Sequence, residues 1–251
     1  MFKVDLNADL GESFGAYKIG ADDQIIPIVT TVNIACGWHA GDPLVMKKAV
    51  ALAKEYGAAI GAHPGFPDLM GFGRRNMAAS PAEVKAYIQY QVGALSAFCR
   101  AEGVRLHHVK PHGAMYNMAG ADINLARAVV EAVAEIDDSL ILLALSGSEM
   151  IRAAQEKGLP CASEVFADRN YEEDGSLCAR SKPGAVIHDE EECIARVLRM
   201  VTEGKVKAIT GRDIDIRADS ICVHGDGPQA LAFARRIRDT LSKNGIEMKT
   251  F

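Results

Sequence analysis

Several things that would have narrowed the function at once are scarce or missing. Six cysteines are scattered through the chain (Cys36, Cys99, Cys161, Cys178, Cys193, Cys222), and no two form a Cys-x-x-Cys pair. That spacing excludes a zinc knuckle and gives no disulfide framework, so reduced thiols are expected. No run of Lys and Arg forms a basic stripe and the net charge is -5, which makes nucleic acid and anionic membrane poor partners. The N-terminal residues lack the apolar core of an export signal, and the longest aliphatic stretch, Leu140 to Leu145, is far too short to span a bilayer. A cytoplasmic protein without membrane contact is expected. There is no Gly-x-Ser-x-Gly elbow and no Gly-x-Gly-x-x-Gly after a strand. The segment from Gly11 to Lys18 mimics a phosphate loop, but its lysine is displaced from the second glycine and no Ser or Thr follows it, so an orthodox P-loop is excluded.

What is present is an ordinary globular composition: 251 residues, 49% hydrophobic and 24% charged, enough for one α/β barrel or two small domains. Short β-rich runs alternate with segments of helical period. The strand candidates are Val4–Leu10, Val32–Ala35, Ala58–Ala62, Leu106–Val109, Leu140–Leu145, Cys161–Phe166 and Ile221–Val223. Helix candidates are Pro43–Tyr56, Pro81–Ala101, Ile123–Ile136, Glu149–Lys157, Asp189–Glu203 and Pro228–Leu241. Ser80-Pro81-Ala82-Glu83 supplies an N-cap, a proline at the first helical position and an early glutamate. Strand-then-helix repetition implies a parallel sheet covered by helices. No linker divides the chain, which reads as one domain over residues 1–251, with long loops at Asp68–Met77 and Arg169–Gly184. The pattern alone leaves a closed (β/α) TIM-like barrel and an open doubly wound sheet equally available.

Residues suited to chemistry cluster where the strands stop. The second strand runs into His39 and Asp42, the third into His63, the fourth into Lys110 and His112. The sixth carries Glu164 and leads to Asp168 and Arg169; the last leads to His224 and Asp226. In parallel α/β folds the carboxyl ends of the strands share one face, so these residues would meet in one pocket. In the first strand Asp5, Asn7 and Asp9 occupy alternate positions, which puts them on one face and Val4, Leu6, Ala8 and Leu10 on the other. If the apolar face packs on helices, the acids point into the barrel, where two confined carboxylates raise one another's pKa or require a cation. A solvent-facing edge strand is the alternative. Glu12 lies in a glycine-flanked loop suited to close approach. An Asp/His/His metal site can be drawn from Asp5 or Asp9 with His39 and His63, but a hydrogen-bonded network uses the same residues, and no metal is predicted. Lys110, with Arg169 or Arg180, suits a carboxylate or phosphate. Gly71-Phe72-Gly73-Arg74-Arg75 reads either as a mobile lid or as an exposed basic loop.

Taken in order, "DLNADLGESFG", "NIACGWHAGDP", "IGAHPGFPDLMGFGRR", "VKPHGAMYN", "EVFADRNY" and "ICVHGDGPQA" resemble the LamB/YcsF lactam-utilisation family from first strand to last helix. The resemblance implies an irregular (β/α) barrel, seven strands being one form it takes, related to the glycoside hydrolase/deacetylase barrels. It implies opening of the 5-oxo-L-proline ring to L-glutamate by an ATP-hydrolysing 5-oxoprolinase, with ATP as co-substrate accompanied by magnesium, and with partner subunits B and C; self-association is left open. Under that reading Asp5, Asp9 or Glu164 is the general base. Lys110, His112 and Arg169 hold the substrate carboxylate or an oxyanion, and His39 and His63 are proton donors or ligands. Asn7, Glu12, His224 and Asp226 complete the expected substrate site. The competing readings are a stand-alone metal-dependent deacetylase or amidohydrolase, and a non-catalytic subunit that binds the lactam.

Overall fold

The computed structural model describes residues 2–223 and 230–251. Its elements are β1 (Lys3–Leu10), α1 (Asp22–Ile25), β2 (Thr31–Ala35), α2 (Pro43–Tyr56), β3 (Ala59–His63), α3 (Pro81–Glu102), β4 (Leu106–Val109), α4 (Gly113–Ala121), α5 (Ile123–Ile136), β5 (Ile141–Leu145), α6 (Glu149–Lys157), β6 (Cys161–Phe166), α7 (Glu190–Glu203), β7 (Lys205–Lys207), β8 (Asp213–Asp215), β9 (Ser220–Val223), α8 (Ala230–Lys243) and β10 (Glu247–Met248). Strands β1 to β6 pair in parallel in chain order, β6 pairs with β9, and β9 returns to β1 with Asp5 opposite Ser220 and Ala8 opposite Val223. That last pairing closes a seven-stranded parallel barrel and settles what the sequence pattern left open. Strands β7 and β8 form an antiparallel pair outside the barrel, and β10 lies parallel to the start of β1.

Alternation along the strands divides their residues between two environments. Val4, Leu6, Ala8 and Leu10 of β1, Val32 and Ile34 of β2, Ile60 and Ala62 of β3, and Ile221 and Val223 of β9 are buried in one apolar cluster with residues of the surrounding helices, such as Val50, Ile88, Val129 and Ile237. Burying each large aliphatic side chain stabilises the fold by about 1.5–3 kcal/mol. The helices that cover this face begin where their capping residues dictate. Asp42 accepts from Leu44 N and Val45 N at the start of α2. Ser80 and Glu83 form a reciprocal capping box on α3, and Gly57 and Gly103 close the two helices in the left-handed region, each N-cap contributing about 1 kcal/mol.

The other face of the strands lines the barrel bore and is polar, whereas such bores are usually filled with Val, Ile and Leu. Register places Asp9, Asn33, Gly61 and His108 at one level, and Asp5, Ser220 and Glu164 at another. Buried polar atoms must find partners, and these do. His108 Nε2 lies 2.7 Å from Asn33 Oδ1, while Asn33 Nδ2 donates to Asn7 Oδ1 at 2.8 Å and to Asp9 Oδ1 at 2.9 Å. Asn7 Nδ2 donates to Ser220 Oγ at 2.7 Å, and Asp5 accepts from Thr31 Oγ1 at 2.9 Å and from the hydroxyls of Thr30 and Ser220.

All seven expected strands are present, and α2, α5 and α6 have the expected bounds. The two expected long loops carry no helix or strand beyond isolated bridges. Five elements were not anticipated: α1, α4, β7, β8 and β10. Helix α4 reads Gly-Ala-Met-Tyr-Asn-Met-Ala-Gly-Ala and is buried at Ala114, Met115, Tyr116 and Ala119, so its apolar residues mark no single stripe. The expected helix start at Pro228 lies outside the described residues.

Gly61 is the gap in the bore that admits the His108 ring, since a β-carbon there would collide with that imidazole. Gly61→Ala is therefore expected to break the His108–Asn33 bond and cost about 3 kcal/mol, read as a lowered urea midpoint. A variant as stable as the parent would contradict this packing.

Candidate active site

The carboxyl ends of β1, β3, β4 and β6 converge on a cavity of about 540 Å³ whose lining includes Asp9, Glu12, His63, Lys110, His112, Tyr116, Arg169 and Arg180. Lys110 follows β4 directly, and its backbone N–H donates to Ala62 O at 2.9 Å, which extends the ladder by one residue and turns the side chain inward. The ammonium lies 2.8 Å from Asp9 Oδ1 and 2.7 Å from Glu164 Oε1, with Asn7 Oδ1 at 3.5 Å and Cys222 Sγ at 3.4 Å. Burial opposes the charges in this group. Even so, His63 and Lys110 hold the Asp9 carboxyl well below the usual carboxylate range, and Asp9 and Glu164 hold the Lys110 ammonium well above the usual lysine range. Glu164 Oε2 accepts from Tyr116 Oη at 2.7 Å; burial, with Glu164 beside it, pushes that phenol far up, so it stays protonated.

The two acids differ in access: the Glu164 side chain is fully buried, whereas that of Asp9 is 15% exposed. Water entering the cavity therefore reaches Asp9. Beside it stands a wall of histidines. His63 Nε2 is 3.4 Å from Asp9 Oδ2, and His112 Nδ1 is 2.9 Å from His63 Nε2. The His39 ring stacks on His112 at 3.7 Å, with Nε2 at 3.8 Å from Glu12 Oε1. Burial drives the His39 imidazole well below its usual range and the His112 imidazole down to about 3. Across the mouth, Arg169 is buried and its Nη2 donates to Cys178 O at 2.6 Å. Arg74 and the exposed Arg180 also line the cavity.

The chain matches the model of the LamB/YcsF family over residues 4–251. It belongs to the LamB/YcsF family. It is 62% identical to the A subunit of 5-oxoprolinase from Clostridium beijerinckii over 99% of this chain and 97% of that one. It is 55% identical to the protein of the same name from Bacillus subtilis over 99% and 96%. Among solved structures it is similar to a lactam utilization protein from Thermus thermophilus, with a TM-score of 0.94 and 51% identity over 99% and 100% of the two chains. A family 4 carbohydrate esterase from Streptomyces lividans shares the fold alone, with a TM-score of 0.50 and 12% identity over 99% and 92%.

Of the residues singled out in this LamB/YcsF sequence, Asp9, Glu12, His63, Lys110, His112 and Arg169 line one cavity. His39 stands directly behind it on His112, and Glu164 lies beneath it against Lys110. Asp5 and Asn7 sit deeper in the bore, away from the cavity lining. They lie four and two residues nearer the strand start than Asp9, and their oxygens are occupied by Thr30, Thr31, Ser220 and Asn33. Asp42 is spent as a helix cap. His224 and Asp226 lie outside the described residues. The set drawn from sequence took Asp5 or Asp9 with His39 and His63; among the described residues the carboxylate that groups with His39, His63 and His112 is Glu12, while Asp9 lies 3.4 Å from His63 and Asp5 sits deeper in the bore. The Gly71–Arg75 segment forms part of the site: Gly73 packs on His39 and His112, Arg74 lines the cavity, and Arg75 is tied to Asp68. Tyr116, Asn33, His108 and Cys222 were missed. Alternation was the available signal for the last three, since Asn33 and Cys222 are polar positions in apolar strands and one of the adjacent His107 and His108 must face the bore.

Burial raises the Asp5 carboxyl to about 6, against the lowering effect of its three hydroxyl donors. Between pH 4 and 6 the folded protein holds a proton that the unfolded chain has lost. Stability is then greatest below pH 4 on this group's account and falls, by about 3 kcal/mol in all, as pH rises through 6. Asp5→Asn is expected to flatten this slope in urea unfolding measured between pH 4 and 7; an unchanged slope would contradict it.

Proposed function

We propose that this chain is the A subunit of an ATP-dependent 5-oxoprolinase, opening the ring of 5-oxo-L-proline to L-glutamate in concert with subunits B and C. The observation that carries this reading is the pair at the cavity floor: a water-accessible carboxylate, Asp9, locked to a buried ammonium, Lys110, beneath a mouth bearing Arg74, Arg169 and Arg180. The names of full-length relatives support it. The substrate is a small lactam bearing one carboxylate. Arginines at the mouth suit that carboxylate and any phosphate brought to it, while the floor suits the amide.

An unstrained five-membered lactam is a stable amide with a poor leaving nitrogen. Phosphorylation of its carbonyl oxygen by ATP makes the carbon open to water. The sequence carries no orthodox P-loop, so the partner subunits supply much of the nucleotide handling. In this chain Asp9 takes a proton from water as the oxygen adds to the carbonyl carbon. Lys110 stabilises the charge that develops on oxygen. When the C–N bond breaks, the proton taken by Asp9 passes to the ring nitrogen and the former carbonyl is left as a γ-glutamyl phosphate; a second water hydrolyses this to L-glutamate and phosphate, so that two waters are consumed and ATP ends as ADP and phosphate. Glu164 keeps Lys110 charged and in place through each step, and Tyr116 holds Glu164.

The test is 5-oxoproline-dependent ATP hydrolysis and glutamate release with and without candidate B and C chains. Asp9→Asn and Lys110→Met are each expected to lower glutamate formation by about 10²-fold or more in the assembled complex, with folding checked by circular dichroism. Full turnover by both variants, or a complex inert toward 5-oxoproline, would overturn the reading.

A further inference from the structure

We propose that Glu12, His39, His63 and His112 together hold one divalent transition-metal ion of the zinc type in the cavity wall. These four buried residues follow or end four consecutive strands, β1 to β4, and each offers one ligand atom such that all four atoms lie within 4.8 Å of one another. Three imidazoles and a carboxylate are a donor set suited to zinc and its neighbours.

Hydrogen-bond direction strengthens the case. His63 Nδ1 lies 2.7 Å from Lys110 O, and His112 Nε2 lies 2.8 Å from Phe72 O. A carbonyl oxygen only accepts, so both of those nitrogens carry hydrogen and donate. The remaining nitrogens, His63 Nε2 and His112 Nδ1, face each other at 2.9 Å, with Asp9 Oδ2 3.4 Å from His63 Nε2, and leave one place between them for a shared cation, a proton or a metal ion. Two lone pairs at that distance repel unless a cation lies against them. Backbone carbonyls that fix a ring's tautomer and aim its free nitrogen are a standard support of metal-bound histidine. His39 adds an independent sign: neither of its ring nitrogens has a hydrogen-bond partner among the described residues, although the side chain is fully buried. Leaving such a group unmet is costly, and a ligand bond to Nε2, on the side facing Glu12 at 3.8 Å, answers it. The loop that closes the site is built for close approach, since Gly73 (φ +62°) touches both His39 and His112 where a β-carbon would collide. The ion, when bound, supplies Lewis-acid polarisation of an oxygen in the cavity.

This assignment does not depend on the identity of the substrate, and its test does not use turnover. The full chain, stripped with a chelator and dialysed, is titrated with Zn²⁺ by calorimetry and with Co²⁺ by visible absorption, with bound metal counted by elemental analysis. Uptake of one ion per chain is expected, with affinity lowered at least 100-fold in His39→Ala and in His112→Ala and unchanged in His188→Ala, a change at an exposed histidine. Glu12→Gln serves as the milder variant where an alanine substitution unfolds the chain, and is expected to alter the Co²⁺ spectrum. A parent chain that takes up no ion from micromolar zinc would overturn the proposal and leave the His63–His112 pair sharing a proton. Uptake unaffected by every one of these ligand substitutions in folded protein would overturn it equally.

Discussion

The site is organised around one buried cation. Lys110 stands between the carboxylates of Asp9 and Glu164, and none of the three is tolerable in the bore without the others, because an unpaired charge taken out of water carries a penalty of several kcal/mol. The lysine acts twice. Its ammonium fixes the two acids, and its carbonyl accepts from His63 Nδ1, which sets the orientation of the imidazole at the end of the neighbouring strand β3. Acid and imidazole therefore share one anchor, and the Asp9–His63 distance of 3.4 Å follows from where the fourth strand ends.

A polar bore changes what each face of the sheet is for. The aliphatic residues that face the helices provide the hydrophobic stabilisation, and the hydrogen-bonded residues inside provide little net stability, because their partners replace water. What the inner network does supply is rigidity. Asn33 ties Asn7, Asp9 and His108 into one unit, so the acid at the cavity floor is held from below by a hydrogen-bonded layer.

Much of this was legible in the sequence, and the reasons for the remainder are physical. The period of two in Asp5-Leu6-Asn7-Ala8-Asp9 was enough to place three polar residues on the bore, and the stops after β2, β3 and β4 were enough to collect His39, His63 and Lys110 at one rim. Closure was not legible, since pairing of β9 with β1 joins segments more than 200 residues apart in a 251-residue chain, and no local pattern encodes it. Depth was not legible either: Asp5 and Asp9 share a face, yet four residues along a strand separate a saturated structural acid from one that meets the cavity. Helix α4 escaped because its small and apolar residues lack amphipathic contrast, and with it went Tyr116. Glu12 was seen, but its place beside the histidines depends on a loop path that spacing does not specify.

Phe72 has a positive φ of 54°, unusual for a residue with a β-carbon, and its carbonyl is the acceptor that sets the hydrogen on His112. The next residue, Gly73, accepts through its own carbonyl from Ala114 N at the start of α4. Loop geometry and proton placement are consequently one variable: any shift of this turn that withdraws the Phe72 oxygen also frees the imidazole to exchange tautomers, so the entrance to the cavity and the basicity of its wall are mechanically linked.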